Sequence, residues 1–273
     1  MSESQTYVMG HTDHERRRLS LQASIINPLT DSFLRSAGVS AGMHVLELGC
    51  GVGEVSLIAA RLVGPRGSLH GIDIDPVALE IAGGRARSAG HQHVRFECID
   101  VRKLKPERLY DAVIGRHILI HLPDAPEILR TAVSLVNAGG LIAFQEFDLT
   151  FCPRGYPEMP LMFRTQDLIC DFFSRGLQRP RTGPELPYLL AEAGLPGVEC
   201  RAECSMDGGP HGQTPAWMAE TVRSLLPRME ALGITTAAEV DIDTLEDRLR
   251  EESLRVGGFT VSPMMYGAFG RTP

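Results

Sequence analysis

A carboxylate followed by three glycines at alternate positions is the stretch of this sequence best suited to hold a ligand. The stretch is Glu47-Leu48-Gly49-Cys50-Gly51-Val52-Gly53, and glycine lets a backbone turn tightly and approach a bound molecule closely. A dinucleotide-binding turn would place its third glycine at position 54. That residue is Glu54, which would repel a pyrophosphate at the start of a helix. The pattern therefore favours a cationic ligand, which tolerates acidic neighbours, over a nicotinamide dinucleotide.

A second carboxylate, Asp73, follows the next predicted strand, residues 68–72. In open α/β folds an acidic side chain about 20 residues after such a turn accepts hydrogen bonds from ribose hydroxyls. An ordinary turn aspartate is the alternative. Asp75 has a structural explanation already, because it can cap the helix that Pro76 begins. We assign Asp73 to a ribose and include its neighbour Ile74 among the ligand contacts.

Alternating strands and helices must position these residues. Val45, Leu46 and Leu48 have the apolar character of a strand covered on both faces. Residues 54–63 carry apolar side chains at three- and four-residue spacings, which predicts a helix that Gly64-Pro65 ends. This alternation is typical of a mainly parallel sheet that binds ligands at the carboxyl ends of its strands. Further strands are predicted at 94–99, 110–115 and 141–147.

The run from Glu47 to Gly53 resembles the first motif of class I S-adenosylmethionine-dependent methyltransferases, of the small-molecule, UbiE-like type, in which an acidic residue precedes Gly-x-Gly-x-Gly. The resemblance extends over roughly residues 40–150 and fades outside them. It implies an α/β fold: a doubly wound, seven-stranded, mostly parallel Rossmann-like sheet with an antiparallel last strand, an N-terminal helical cap and helical lid insertions. It also implies S-adenosyl-L-methionine as cofactor, S-adenosyl-L-homocysteine as product, and no metal.

The same resemblance implies further cofactor contacts. Asp100, after the third strand, would accept a hydrogen bond from the adenine amine and Val101 would pack on the ring; a capping or solvated Asp100 is the alternative. An N-terminal segment covers the cofactor in many similar enzymes, which adds Tyr7 and Gln22. The expected cofactor-binding residues are thus Tyr7, Gln22, Glu47, Gly49, Cys50, Gly51, Gly53, Asp73, Ile74, Asp100, Val101 and Arg116.

Two histidines near the end of the fourth strand are the expected catalytic residues. His117 follows that strand directly, and His121 matches a histidine common before Leu-Pro-Asp in similar methyltransferases; a structural role for His121 is the alternative. Methyl transfer from a sulfonium needs mainly in-line alignment, and a general base only where the acceptor loses a proton. The other candidates are His11, His14, His211, Tyr7 and Glu146.

Composition limits the partners. The 273 residues carry a net charge of −7, which disfavours nucleic acid because phosphate neutralisation needs a concentrated basic surface. A signal-peptide pattern and a membrane-spanning apolar stretch are both missing from the sequence. The six cysteines lack zinc spacing and are expected to be reduced thiols. We expect a cytoplasmic protein with a small-molecule substrate and no nucleic-acid or membrane partner, and leave a homodimer open.

The sequence changes in character along its length, which suggests six segments. Pro28 is expected to divide the N-terminal cap into two helices, and Pro263 suggests that the last strand has an edge or bulge position. Two helices are expected in the second insertion. The segments are a cap at 1–40, a cofactor-binding core at 41–150, a lid insertion at 151–181, a core continuation at 182–206, a helical insertion at 207–256 and a final core strand at 257–273.

Three functions are compatible with these residues. The main hypothesis is a methyltransferase of lipid, quinone or secondary metabolism that acts on an O, N or C atom of a small, partly apolar metabolite. A methyltransferase-like cyclase or pericyclase would use the bound sulfonium to polarise a substrate instead. A non-catalytic partner subunit would bind the cofactor alone.

Overall fold

The computed structural model describes residues 13–105 and 108–273. Two short 3-10 turns, Val101–Lys103 and Leu119–His121, lie on either side of the fourth strand. The helices are α1 (Asp13–Ala37), α2 (Glu54–Val63), α3 (Pro76–Ser88), α4 (Ala125–Ser134), α5 (Pro160–Gly176), α6 (Thr182–Glu192), α7 (Thr214–Ala231), α8 (Ala237–Val240) and α9 (Leu245–Val256). The strands are β1 (His44–Leu48), β2 (Ser68–Asp73), β3 (Val94–Cys98), β4 (Tyr110–Arg116), β5 (Val136–Phe147), β6 (Glu199–Glu203), β7 (Met206–Gly208), β8 (Phe259–Val261) and β9 (Met265–Arg271).

Within the described residues, seven strands form one sheet in the order β3-β2-β1-β4-β5-β9-β6. The strands from β3 to β5 are parallel neighbours, whereas β9 lies antiparallel between β5 and β6. The chain order reverses beside β1, so the carboxyl ends of β1 and β4 border the crevice where ligands bind in such sheets. The predicted fold class is confirmed.

Side chains of β1 alternate between two covered faces of the sheet, which explains its continuous apolar character. Val45 belongs to the core cluster that contains Ile58 of α2. Leu46 belongs to the opposite cluster, which contains Ile128 of α4. Glu47 therefore points to the α2 face, and both faces of β1 are covered.

The chain forms two compact units. The sheet unit comprises residues 27–148, 177–203 and 265–273, and the helical unit comprises 149–176, 204–264 and the described part of 1–26. In the helical unit, α5 packs on α7 and α9. The Glu252 carboxylate of α9 accepts the amides of Leu161 (3.0 Å) and Met162 (2.9 Å) at the start of α5. One side chain thus satisfies two amides that the helix itself cannot.

Three local expectations were wrong. Pro28 lies inside the single helix α1 rather than between two helices; it is exposed, so water can satisfy the carbonyl that loses its amide partner. Pro263 does not interrupt one strand but separates β8, which pairs with β7, from β9 in the main sheet. Residues 207–256 contain three helices, because Thr236 and Glu239 form a capping box that begins the short α8.

The division into six segments stays a prediction. Among the residues that the structure describes, none of the helices has an apolar stretch of the length needed to cross a membrane.

We predict that Gly267→Ala lowers the free energy of unfolding by about 1–3 kcal/mol, because a Cβ there would overlap the fully buried ring of Phe33. Gly84→Ala is the control. No atom lies within 4 Å of a Cβ at that helical position, so the same change should stabilise the protein by about 0.5–1 kcal/mol. Urea denaturation of both variants measures the difference, and equal effects would contradict the prediction.

Candidate functional site

The glycine turn after β1 has one crowded side and one open side. Gly49, Gly51 and Gly53 have φ values of 65°, 49° and 84°, which side-chain-bearing residues rarely adopt. A Cβ at Gly49 would lie 2.6 Å from Ile118 Cδ1, whereas a Cβ at Gly51 would meet no atom within 4 Å. The turn therefore packs against the loop after β4 and leaves room at Gly51, where a ligand can approach the backbone.

Asp73, at the end of β2, holds this turn in place. Its Oδ2 accepts the Gly51 amide at 2.8 Å, and its Oδ1 accepts the Asp75 amide at 3.0 Å. Each carboxylate oxygen can accept a second hydrogen bond. Ile74, the next residue, leaves 63% of its surface exposed. Asp75 caps α3 through the Val77 amide at 2.9 Å, as predicted.

Asp100 lies near the neighbouring strand end, because β3 pairs with β2 through Cys98 and Asp73. Its carboxylate accepts the backbone amide of Arg102 at 3.0 Å and the Arg102 guanidinium at 2.8 Å. The structure thus shows the capping role that was the alternative for Asp100. Val101 is half-buried against the apolar core. Contacts of Asp100 and Val101 with adenine stay predictions.

A buried carboxyl and a half-buried guanidinium lie at the ends of β1 and β4, next to the turn. Glu47 is 2% exposed and accepts the Ser56 hydroxyl at 2.5 Å. Burial raises the pKa of Glu47 to about 8. Arg116 donates to Asn27 Oδ1 (3.0 Å) and Thr30 Oγ1 (2.8 Å), and burial lowers its pKa to about 10. At neutral pH Arg116 is charged and Glu47 is mostly protonated.

Glu54 and Arg85 extend this polar group. Glu54 accepts the Asn27 amide at 2.9 Å and pairs with Arg85 at 2.7 Å. Burial alone would raise the pKa of Glu54, but these two partners hold it below its usual value. Arg85 also donates to the carbonyl of Val52 within the turn at 2.9 Å. Sequence reasoning missed Arg85 and Asn27, because Arg85 lies 33 positions from Val52, and Asn27 lies 27 positions from Glu54 and 89 from Arg116. The signal was the acidic residue at position 54, whose partners the local sequence does not indicate.

Cys50 lies in the turn with its side chain buried. Its amide donates to the carbonyl of Ile72 at 3.0 Å, which ties the turn to β2. Burial raises the pKa of its thiol far above the usual range. Cys50 therefore contributes packing and backbone contacts but no thiolate.

The loop after β4 holds the two predicted catalytic histidines in different settings. His117 has a φ of 55°, a conformation that is uncommon without glycine and that clusters at functional sites. Its ring stacks on Phe147, with 4.3 Å between ring centroids, and its amide donates to the carbonyl of Gln145 at 3.0 Å. His121 ends the following 3-10 turn and is exposed.

Glu146, near the end of β5, fixes this loop by accepting hydrogen bonds from its backbone. Its Oε1 accepts the amides of Ile118 (2.9 Å) and Leu119 (2.7 Å). Its Oε2 is buried and has no hydrogen-bond partner among the described residues. Burial raises the pKa of Glu146 to about 8, against the effect of these amides. A neutral carboxyl is therefore favoured at neutral pH.

The remaining candidates lie elsewhere in the chain. Tyr7 and His11 are outside the described residues. Gln22 belongs to the helical unit, where its Oε1 accepts a guanidinium N–H of Arg18 at 2.6 Å. In the same unit His14 lies 3.0 Å from Glu220, and His211 is exposed. A cofactor role for Tyr7 or Gln22 stays a prediction.

The strand order, the glycine turn and the carboxylates at successive strand ends define a doubly wound α/β protein with a nucleotide-type site at the crevice beside β1. Residues 39–175, half of the chain, match the methyltransferase domain family. The chain belongs to this family, whose cofactor is S-adenosyl-L-methionine. The predicted methyltransferase family and its cofactor are therefore confirmed.

Individual relatives agree with this family. The chain is 38% identical to aklanonic acid methyltransferase DauC of Streptomyces sp. (strain C5) over 104 residues, which are 38% of this chain and 47% of DauC. It is 29% identical to a ubiquinone biosynthesis O-methyltransferase of Albidiferax ferrireducens over 52% of this chain and 63% of that protein. The match thus spans about half to two thirds of each relative. A crystal structure of a candidate methyltransferase from Bacillus halodurans has the same fold, with a TM-score of 0.58 at 15% identity over 89% of this chain and 98% of that one.

We predict that Glu146→Gln changes how stability depends on pH. A folded-state pKa of about 8 lies above the ordinary glutamate value of 4.5, so the contribution of Glu146 to stability is fully present below pH 4.5 and is lost as pH rises toward 8. Glutamine resembles the protonated carboxyl and does not titrate. Its stability relative to the wild type should therefore rise by about 2–4 kcal/mol between pH 5 and pH 8.

Urea denaturation at the two pH values measures this change. Glu80→Gln, at an exposed position of α3, is the control for the loss of one carboxylate. If the difference in the free energy of unfolding between Glu146→Gln and the wild type is the same at pH 5 and pH 8, the buried carboxyl of Glu146 is not neutral.

Proposed function

We propose that this chain is an S-adenosylmethionine-dependent methyltransferase that transfers a methyl group to an O, N or C atom of a small, partly apolar metabolite by in-line displacement. The observation that carries the proposal is the open side of the turn at Gly51, whose amide is held by the Asp73 carboxylate at 2.8 Å. An adenosyl group needs such a close backbone approach beside a carboxylate that can accept from ribose hydroxyls.

The residues at the strand ends fit this cofactor. Asp73 keeps acceptor capacity for the ribose beyond its two amide contacts, and the exposed side chain of Ile74 offers an apolar surface to the base. Asp100 and Val101 are the proposed adenine contacts, with Asp100 using the acceptor capacity that Arg102 leaves. When bound, the cofactor supplies an already activated methyl group, so this chain has mainly to position the acceptor.

The charges beside the turn fit a cation. Glu54 is ionised more readily than usual, and Glu47 lies on β1 two residues before Gly49. A sulfonium or ammonium nearby would favour the ionised form of Glu47, which burial otherwise disfavours. A pyrophosphate would meet these same carboxylates unfavourably.

Similarity and composition support the class of acceptor and the cellular compartment. The similarity to aklanonic acid methyltransferase supports a small organic acceptor of secondary metabolism, and the net charge of −7 supports a substrate other than nucleic acid. The six free cysteines fit a reducing compartment such as the cytoplasm. We propose a small-molecule substrate and no macromolecular one, and a homodimer stays open.

We predict that Asp73→Ala weakens the binding of S-adenosylhomocysteine by about 10- to 100-fold, because the ribose loses a charged acceptor and the Gly51 amide loses its anchor. Isothermal titration calorimetry measures the affinity. Asp75→Ala is the matched control: it removes the cap of α3 and should cost about 1 kcal/mol of stability, but it should leave the affinity within about threefold. Unchanged affinity in Asp73→Ala would make the ribose assignment wrong.

We further predict that an essential general base, if the acceptor loses a proton, is found among His117 and His121. Asparagine at position 117 tolerates the left-handed backbone, so His117→Asn and His121→Asn form a pair. Loss of the base should lower kcat by about 10²- to 10⁴-fold, remove the acidic limb of the pH profile and leave the cofactor affinity unchanged. Radiolabelled methyl transfer to candidate acceptors measures the rate.

Two results would contradict the main hypothesis. Substrate conversion without transfer of label would identify the cyclase, and cofactor binding without any conversion by the chain would favour the partner subunit.

A further inference from the structure

A basic cavity lies on the α4 face of the sheet unit, away from the glycine turn. It has a volume of about 770 Å³. Its walls come from β2, β3, the start of β4 and described residues of the connection between β3 and β4. Its basic and acidic lining residues are Arg95, Lys103, Lys105, Arg108, His70 and Glu97.

The described part of the β3–β4 connection contains little helix, which leaves this side of β2 and β3 open. The crossover from β3 to β4 lies on the face that α4 covers further along the sheet, and in the described part of this connection the only helical element is the turn Val101–Lys103. A full crossover helix would cover β2 and β3 on this side. Instead the polar residues of these two strands line an open space.

Its floor is built from buried polar side chains. His70 is 2% exposed and Tyr110 is 5% exposed. The Nδ1 atom of His70 lies 2.6 Å from the Tyr110 hydroxyl and 2.9 Å from an Arg95 guanidinium nitrogen. Arginine can only donate, so Nδ1 accepts and the ring proton is on Nε2, which lies 3.0 Å from Glu97.

The charge of the lining is strongly positive in a chain whose net charge is −7. Arg95, Lys103, Lys105 and Arg108 face a single lining carboxylate, Glu97, which lies beside His70. Neither lysine has an ion pair with any residue in the described ranges 13–105 and 108–273. The Arg108 guanidinium donates to His44 Nδ1 at 3.0 Å rather than to a carboxylate. The four cations are therefore not neutralised by described carboxylates other than Glu97.

We propose that this cavity binds a compact polyphosphate anion, either free diphosphate or the diphosphate group of a nucleotide. Four cations around one cavity match several anionic oxygens on a short chain. Lysine supplies point charges and arginine supplies forked N–H donors for phosphate oxygens. Ser68 and Tyr110 add hydroxyl groups to the same lining.

Calorimetric titration of the full-length protein with sodium pyrophosphate, and separately with ADP, tests the proposal. The titrations are run in metal-free buffer with and without S-adenosylhomocysteine. We expect saturable one-to-one binding that weakens at higher salt. Lys103→Ala/Lys105→Ala should weaken it by at least about 10-fold. Tighter binding of ADP than of pyrophosphate would identify the nucleotide as the source, and the reverse would identify free diphosphate.

The control is Arg66→Ala/Arg130→Ala, which removes two exposed cations of the sheet unit that do not line the cavity. It should change the affinity by less than about twofold. Three results would overturn the proposal: no saturable binding at millimolar anion, equal weakening in both double variants, or displacement of the anion by S-adenosylhomocysteine. Only displacement by S-adenosylhomocysteine concerns the cofactor site, so the other two results would overturn the anion site without affecting the proposed methyltransferase function.

Discussion

The hydrogen bond from the Gly51 amide to the Asp73 carboxylate is the contact on which the arrangement of the site depends. Glycine loses more backbone freedom on folding than other residues, and three glycines here adopt left-handed conformations. Such a turn needs fixed partners to keep one shape. Asp73 holds it from β2, and Ile118 packs against Gly49 from the loop after β4. The same contacts leave the ligand side of Gly51 clear, so rigidity and access come from one set of residues.

The polar side chains next to the turn, Glu47, Glu54, Asn27 and Arg116, explain how ionisable groups are accommodated in the interior at this edge of the sheet. An unpaired buried charge costs several kcal/mol, and the chain reduces this cost in two ways. Arg116 stays charged but is solvated by Asn27 and Thr30. Glu47 instead shifts its pKa to about 8 and is mostly neutral. Asn27 links the two parts, because its carbonyl accepts from Arg116 while its amide donates to Glu54.

The sequence predicted what depends on local pattern. The alternation around Val45 to Leu48, the glycine spacing and the cap at Asp75 each depend on residues close in the chain, and the sheet and family followed from them. Contacts between distant residues could not be predicted in this way. Arg85 reaches Val52, 33 positions away, and nothing in either local sequence indicates the pair. Pro28 and Pro263 were misjudged for a related reason: exposure and strand pairing decide what a proline does, and neither is visible locally.

The loop after β4 shows how a strained conformation can be maintained where chemistry is expected. A left-handed backbone conformation costs a histidine on the order of 1 kcal/mol or more. Two contacts stabilise it at His117: the ring stacks on Phe147, and the amides of the next two residues donate to the Glu146 carboxyl group. Glu146 can do this at little electrostatic cost only while it is neutral, which its raised pKa favours. Because Glu146 and Phe147 are adjacent on β5, one strand end orients both the ring and the backbone of this loop. The position of His117 therefore depends on β5 as much as on β4, which carries it.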